Sequence, residues 1–262
     1  MTSTQMSGVG PDVQVAIDSG VGTVLLDRPS RMNSVTVSLA QQLEAALTEL
    51  STQEKVDVVV IRGAGGNFSA GGDFDEVKLL RSQGTDALAN LFEAFGRALG
   101  VIEGMRQPVI SAVEGVAMAG GFEMMQASDI VLVHPDVRVR DTHIRFGWIP
   151  GGGSTQRLPR IVGRQQALGH LLSGDTLDAN DLVRLGIAYR ILGASTFDTD
   201  IDAFALALAG RDRRAVARIK ELVALSFTTC LGDGLAAERA AVVDHIAGPS
   251  GQAGVAAFEG RI

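Results

Sequence analysis

The 262-residue sequence predicts an α/β fold with a largely parallel sheet, followed by a mostly helical C-terminal region. Three observations lead to this prediction. Short apolar runs rich in Val and Ile, typical of strands buried on both faces, recur at residues 56–61, 109–113 and 130–133. Helical patterns separate these runs, which favours parallel strands joined by right-handed crossovers. Beyond Gly153, nearly every segment fits a helix.

The individual elements follow from local patterns. Residues 13–17 and 21–26 alternate in polarity around a short turn and form a predicted hairpin. Residues 38–50 carry leucines at helical spacing, and we expect Ser38 to cap this helix. Residues 85–105 form a second, longer predicted helix. Further helices are predicted at residues 154–161, 164–172, 179–185, 197–209, 211–225 and 234–247.

Two glycine-rich stretches stand after predicted strands, at residues 68–73 (F-S-A-G-G-D) and 118–123 (M-A-G-G-F-E). Consecutive glycines leave backbone N–H groups uncovered by side chains, so a ligand oxygen can approach them. Two such stretches can supply two donors to one oxygen, which is the arrangement of an oxyanion hole. Glu123 lies three residues after Gly120, within one helical turn of the second donor. Two tight turns in an α/β protein are the alternative interpretation.

Bulk composition narrows the classes of function. The chain has 23 Lys and Arg against 30 Asp and Glu, a formal net charge of −7, and no basic run, so we expect no nucleic-acid partner. Its one cysteine, Cys230, suits a reducing compartment. The first residues lack a signal-peptide pattern and no apolar run approaches the length of a membrane span, so we expect a cytoplasmic protein without a membrane partner. No residue spacing suggests a metal site or a phosphate-binding loop.

Four blocks, in matching order and spacing, resemble the crotonase (enoyl-CoA hydratase/isomerase) family. Residues 26–34 are similar to its N-R-P-x-x-x-N-A segment, and residues 63–73 resemble its G-x-G-x-x-F-S-A-G-A-D. The third block covers residues 108–130, and the fourth, at residues 149–160, reads I-P-G-G-G-S-T-Q-R-L-P-R. The four blocks together make the resemblance far more specific than any one of them.

The resemblance implies a single crotonase-like domain over residues 1–262. Its core, residues 13–195, is expected to be a spiral of stacked ββα turns. Residues 196–262 are expected to form the helical region through which this family builds trimers and often hexamers, so we expect a homotrimer or a dimer of trimers. The implied substrate is an acyl-CoA thioester, with no separate cofactor.

The resemblance also implies roles for single residues. The oxyanion-hole donors are the backbone N–H groups of Gly72 and Gly120, although the family commonly has Ala at the first position. Glu123 matches the first catalytic glutamate of the hydratases; a carboxylate placed favourably for a helix dipole is the alternative. Arg261, in a segment similar to the family's F-x-E-K-R ending, is expected to reach the CoA of a neighbouring subunit. The remaining CoA contacts are expected at Arg28, Arg31, Ala70, Asp73 and Phe74.

The chief departure from the family is His143. The family pattern before the I-P-G block is P-E-I-x-x-G, whereas residues 142–147 read T-H-I-R-F-G, so a histidine replaces the second glutamate. An imidazole, with an unperturbed pKa near 6.5, can hold water or carry a proton at neutral pH, and Asp141 is a candidate to orient it. Alternatively, His143 fills space in an enzyme with a different reaction.

The expected function is therefore an enoyl-CoA hydratase-like lyase that works through a thioester enolate. Double-bond isomerisation, C–C hydrolysis and decarboxylation share that enolate and are the alternatives, because the second glutamate is missing. A third possibility is an acyl-CoA-binding protein without turnover. The two glycine donors and Glu123 argue against it, because binding alone would not require them.

Overall fold

The structure is a computed structural model that describes residues 7–8 and 10–259, and its described strands form one seven-stranded sheet and one two-stranded sheet. In chain order the strands are β1 (Ser7–Gly8), β2 (Val13–Asp18), β3 (Val21–Leu26), β4 (Val58–Gly63), β5 (Val109–Val113), β6 (Val116–Met118), β7 (Ile130–Val133), β8 (Arg138–Arg140) and β9 (Arg190–Ile191). The main sheet has the order β1-β2-β3-β4-β5-β7-β9, antiparallel as far as β3 and parallel from there on. Strands β6 and β8 pair separately and in parallel.

Helices follow or connect these strands. They are α1 (Val37–Thr52), α2 (Phe74–Gln83), α3 (Thr85–Gly104), α4 (Gly120–Ala127), α5 (Ser154–Ser173), α6 (Ala179–Arg184), α7 (Phe197–Ala209), α8 (Arg213–Leu225), α9 (Leu231–Ala247) and α10 (Pro249–Glu259). Within the described residues, no helix is long and apolar enough to cross a membrane.

The main sheet is covered on both faces, which explains why its strands are apolar almost throughout. In β4, Val59 and Ile61 point into the larger core with α1 and α3, whereas Val58 and Val60 point into a second core. Helix α7 closes that second core. Side chains alternate between the two faces of a strand, so both alternating sets must be apolar when neither face is open to water.

Short pairings form a second layer beside the main sheet. Besides β6 and β8, it contains the parallel bridges Val35–Gly72 and Ser69–Ala117. The chain repeatedly passes from a main-sheet strand through this layer and returns by a helix, which confirms the predicted ββα spiral. The layer carries both glycine-rich stretches, and the Ser69–Ala117 bridge sets them side by side.

Several sequence predictions need correction. Helix α1 begins at Val37 rather than Ser38, and its N-cap is Thr36, whose hydroxyl accepts from the Leu39 N–H at 3.0 Å. The helices predicted at 154–161 and 164–172 are one helix, α5, with a kink at Gly163, where φ is +77°. Helices α2 and α10 and the short strands β1, β6, β8 and β9 were not predicted.

Candidate active site

The two glycine-rich stretches lie directly against each other. The Met118 N–H donates to the Ser69 carbonyl at 2.9 Å, next to the Ser69–Ala117 bridge. At Gly71, φ is +87°, and a Cβ there would lie 2.6 Å from the Met118 carbonyl oxygen and 2.9 Å from the Gly120 nitrogen. Only glycine allows this approach, because backbone atoms at those distances cannot move aside for a methyl group. The two stretches thus pack backbone against backbone, and their role as an oxyanion hole stays a prediction.

The N–H groups of Gly72 and Gly120 have no hydrogen-bond acceptor in the described part of the chain. Gly120 opens α4, and the first N–H groups of a helix have no partner within it. In the bridge beside Gly72, the Val35 N–H donates to the Gly71 carbonyl and the Asp73 N–H donates to the Val35 carbonyl, both at 2.8 Å. The Gly72 N–H takes no part in this bridge. Two unpaired donors on adjacent segments are what an oxyanion hole requires.

Ala119 has a strained backbone conformation and directly precedes Gly120, the second donor. Its φ of 46° and ψ of −114° lie in a region that residues with a Cβ rarely adopt. Such a conformation costs about 1–3 kcal/mol and persists only where its surroundings enforce it. Here the Ala119 N–H donates to the Arg140 carbonyl at 3.1 Å, and the Ala119 carbonyl accepts from the Glu123 N–H at 2.9 Å. The strain therefore lies immediately before Gly120 and is balanced by hydrogen bonds on both sides.

Glu123 lies in the first turn of α4 and is only 2 % exposed. Its Oε1 accepts from the Gly152 N–H at 2.7 Å and from the Ser154 N–H at 3.1 Å. Burial raises the pKa of the Glu123 carboxyl, and the nearby His143 imidazole and the two N–H donors only partly oppose this. A Cβ at Gly152 would lie 2.7 Å from Oε2, so this glycine makes room for the carboxylate.

His143 begins a short 3₁₀ turn (His143–Phe146) and is hydrogen bonded to Asp141. Its Nδ1 lies 2.7 Å from Asp141 Oδ1, and its backbone N–H donates to the same oxygen at 3.1 Å. Asp141 is 1 % exposed, and its Oδ2 is buried without a partner among residues 7–8 and 10–259. A carboxylate only accepts, so Nδ1 carries the proton and Nε2 is left for other partners.

The two titratable groups, Glu123 and His143, lie within electrostatic reach of each other. Burial by itself lowers the pKa of His143, but the hydrogen bond to Asp141 and the negative charges of Asp141 and Glu123 outweigh it and raise the pKa. Both pKa values are thus raised above their ordinary values, Glu123 by burial and His143 by the neighbouring carboxylates. That pair can accept one proton and donate another.

Arg28 and Asp73, both expected at CoA, form a network within the protein. The Arg28 guanidinium lies 3.2 Å from Asp73 Oδ2, and Ser34 Oγ donates to the same oxygen at 2.9 Å. The Asp73 side chain also caps α2. Arg31 is half exposed, with its Nε 3.7 Å from Asp73, and pairs with Asp75 as well. Ion pairs to aspartates compete with phosphates for both guanidinium groups, and the CoA role of these residues stays a prediction.

The other residues expected at CoA differ in their surroundings. Ala70 is partly buried, and its N–H donates to the Met32 carbonyl at 2.8 Å. Phe74 is 55 % exposed and its ring stacks on that of Trp148. Arg261 lies outside the described residues. None of the described His, Cys, Asp and Glu side chains form a group of three that could hold a metal ion.

Sequence reasoning missed the backbone groups that hold Glu123. Gly152 and Ser154 belong to the I-P-G-G-G-S block, which served only as a mark of the resemblance. Consecutive glycines can indicate a site where backbone N–H groups bind a carboxylate, because a loop without side chains can point these groups at an anion. Which carboxylate the loop meets depends on α3 and α4 and cannot be read from the block.

Comparison with known proteins identifies the relatives of this chain. The family model described as enoyl-CoA hydratase/isomerase matches residues 16–261. A probable enoyl-CoA hydratase of Mycobacterium bovis is 30 % identical over 247 residues, which is 94 % of each chain. The mitochondrial enoyl-CoA hydratase of Pongo abelii is 30 % identical over 238 residues, 91 % of this chain and 80 % of the relative.

Solved structures show the same fold. An enoyl-CoA hydratase from Polaromonas sp. JS666 matches with a TM-score of 0.91 and 27 % identity, covering 95 % of this chain and 97 % of the other. A putative enoyl-CoA hydratase from Streptomyces coelicolor matches with a TM-score of 0.90 and 28 % identity, covering 100 % and 97 % of the two chains. With a match over almost its whole length in sequence and in fold, the chain belongs to the enoyl-CoA hydratase/isomerase family.

Proposed function

We propose that this protein is an enoyl-CoA hydratase-like lyase that adds water to an α,β-unsaturated acyl-CoA. The observation that carries the proposal is the pair of unused N–H donors, Gly72 and Gly120, beside a buried carboxylate and imidazole. The thioester oxygen accepts from both donors. As the enolate forms, its charge grows on that oxygen, and each donor contributes about 3 kcal/mol of transition-state stabilisation.

Glu123 and His143 then serve as base and acid. The Glu123 carboxylate accepts a proton from water while the water oxygen forms a bond to the β-carbon. The electron pair of the double bond forms a new double bond between the α-carbon and the thioester carbon, and the C=O electron pair moves to the oxygen. The enolate then collapses as the α-carbon takes a proton from His143 Nε2. Glu123 ends protonated and His143 ends neutral, and solvent exchange restores both. Asp141 is a positioning residue in this scheme, since its hydrogen bond to Nδ1 directs Nε2 toward the substrate.

One observation supports a different reaction of the same family as the alternative. His143, held by Asp141, stands where the family pattern has a glutamate, and a two-carboxylate arrangement around one water is therefore absent at this pair of positions. Double-bond isomerisation, C–C hydrolysis or decarboxylation needs the same enolate but a different proton route. These reactions form the alternative proposal.

Product analysis decides between the two. The purified protein is incubated with crotonoyl-CoA, longer 2-enoyl-CoA thioesters, 3-enoyl-CoA thioesters and cyclic β-diketone CoA thioesters, and the products are identified by mass. A gain of one water on a 2-enoyl-CoA supports the lyase. A product from a 3-enoyl-CoA that has the substrate's mass but a different chromatographic retention time, or ring opening of the diketone, supports the alternative instead.

His143 variants test the acid role directly. The alkaline limb of the kcat/KM profile should disappear in His143→Gln, because the proton donor is gone. His143→Glu restores the family pattern, and faster hydration of simple enoyl-CoA thioesters in that variant would mean that the native histidine serves another reaction. An unchanged rate and pH profile in His143→Gln would remove His143 from the mechanism.

The protein is further proposed to assemble as a trimer or a dimer of trimers. Its C-terminal helices leave large apolar side chains in solvent when the chain is alone. Those exposed in and between α8 and α9 include Ile219, Val223, Phe227, Leu231, Val243 and Ile246. Apolar patches of this kind mark contact surfaces between proteins.

A further inference from the structure

We propose that three aromatic side chains beside the candidate active site, Phe74, Phe146 and Trp148, bind the acyl group of the substrate and select one that ends in a ring. These residues are called the aromatic cluster below. The inference rests on the proposed function, since it names the class of acyl-CoA that the site takes. Short acyl groups and straight chains are the competing occupants.

The aromatic cluster is compact and open to solvent. The Phe74 and Trp148 rings are stacked, with centroids 5.9 Å apart and an interplanar angle of 13°. The Phe146 ring is tilted and lies 6.1 Å from Phe74 and 5.8 Å from Trp148. The exposed fractions are 55 % for Phe74, 58 % for Phe146 and 39 % for Trp148. Three large apolar rings in mutual contact thus leave much of their surface uncovered.

The aromatic cluster is formed by residues close in sequence to the proposed oxyanion donor Gly72 and to His143. Phe74 follows Gly72 by two residues, so their Cα atoms are at most about 7.6 Å apart. Phe146 and Trp148 belong to the segment that begins at His143, and the Trp148 N–H donates to the His143 carbonyl at 3.0 Å. The rings therefore join the segment of the first oxyanion donor to that of the imidazole, within reach of an acyl group whose thioester oxygen is bound at Gly72.

The chemistry of the cluster fits an apolar group rather than the polar parts of CoA. The nearest cation along the 3₁₀ turn, Arg145, is directed away, since its guanidinium donates to the Gly174 carbonyl at 2.8 Å. A phosphate or ribose would meet aromatic carbon at the exposed ring surfaces and would not be met by the Arg145 guanidinium. An apolar acyl group gains by removing the exposed rings from water.

The ring spacing favours a cyclic acyl end. Aromatic rings associate with centroids 4.5–7 Å apart, and the three centroids of the cluster form a triangle with sides of 5.8–6.1 Å. A fourth ring can contact all three at similar distances, whereas a straight chain covers them only along one line. The chain has 10 Phe, one Tyr and one Trp, and it places its only Trp in this cluster.

Binding of unreactive thioesters tests the inference apart from catalysis. The intact protein is titrated with 3-cyclohexylpropanoyl-CoA, nonanoyl-CoA and butanoyl-CoA, of which the first two have the same number of acyl carbons. Trp148, as the only tryptophan, reports on the cluster by its fluorescence. We expect the cyclohexyl thioester to bind at least about tenfold more tightly than butanoyl-CoA and more tightly than nonanoyl-CoA, with a blue shift that free CoA does not produce. Equal affinities, or a preference for nonanoyl-CoA, would overturn the inference.

Variants locate the preference. Trp148→Leu and Phe146→Leu should each weaken binding of the cyclohexyl thioester by about threefold or more, because each removes apolar area that the bound ring covers, and leave butanoyl-CoA within twofold. Calorimetry measures both affinities. Tyr189→Leu, which changes an equally exposed aromatic residue next to β9, is the matched control and should change neither. Equal weakening of both thioesters in the cluster variants would contradict a role in acyl selection.

The same experiments separate failure of this inference from failure of the proposed function. If the cyclohexyl thioester binds preferentially but no 2-enoyl-CoA gains water, the assignment of the acyl site stands and the lyase proposal fails. If 2-enoyl-CoA thioesters are hydrated without preference for a ring, the lyase stands and the inference fails.

Discussion

Replacing Glu123 by Gln is expected to reduce turnover at least about a hundredfold without destabilising the protein. The amide keeps the shape of the side chain but cannot accept a proton at neutral pH, and a lost acid–base group costs about 10²–10⁴-fold in rate. By transition-state arithmetic, a hundredfold loss corresponds to about 2.7 kcal/mol. Binding of the CoA thioester should survive, because the proposed thioester donors are the backbone groups of Gly72 and Gly120.

The effect on stability follows from two hydrogen bonds. Oε1 of Gln can still accept from the Gly152 and Ser154 N–H groups, which donate to Glu123 at 2.7 and 3.1 Å. Burial raises the pKa of Glu123 in the folded state above its value in the unfolded state, so protonation of this carboxyl stabilises the folded protein. This contribution is fully present below the unfolded-state pKa and is lost as the pH rises through the folded-state pKa. Gln carries no charge, so the melting temperature at neutral pH should equal or exceed that of the native protein.

Glu123→Ala provides the contrast. It leaves two buried N–H groups without an acceptor, and each costs about 1–3 kcal/mol, or about 2–6 kcal/mol together. For a chain of this size, that lowers the melting temperature by at least about 4 °C. Steady-state kinetics and thermal unfolding of both variants at neutral pH test the reasoning. Near-native turnover in Glu123→Gln, or a melting temperature as low as that of Glu123→Ala, would refute it.

Three further predictions concern the surroundings of the site and the assembly. In Asp141→Asn, the alkaline limb of the kcat/KM profile should move to lower pH, because the charge that raises the pKa of His143 is lost; an unmoved limb would argue against the pair. Gly152→Ala should lower turnover at least about tenfold, since the new Cβ would lie 2.7 Å from Glu123 Oε2, whereas Gly169→Ala, with open space at its Cβ, should be neutral or stabilising. Native turnover in the former would mean that the loop adapts. Light scattering at micromolar concentration should give the mass of a trimer or of two trimers, and a monomer would contradict the proposed assembly.

The sequence alone was sufficient for the fold class and for the two glycine-rich stretches. Runs such as residues 58–61 are apolar at every position because the sheet is covered on both faces, and this pattern is visible without coordinates. The glycine pairs at residues 71–72 and 120–121 likewise indicate backbone N–H groups that are not covered by side chains. Both signals are local, so a one-dimensional pattern can carry them.

Helix ends were less predictable, because several residues compete for one cap. Ser38 and Thr36 are both good N-cap residues, and the sequence does not rank them. In the structure, Ser38 Oγ donates to Asp12 Oδ2 at 2.8 Å, and Thr36 takes the cap. The partner is 26 residues away, so only the folded chain decides the outcome.

The tertiary structure decided what the site residues contact. That Glu123 accepts from residues about 30 positions away, and that Asp141 faces His143, depends on how α3, α4 and the I-P-G-G-G-S loop pack together. The same packing turns two separated segments into the aromatic cluster. The sequence alone determined which titratable and aromatic residues the chain has and where glycines leave the backbone N–H groups free of side chains. The distances that set pKa values and ring contacts arise only from packing over long sequence separations, and no local pattern records them.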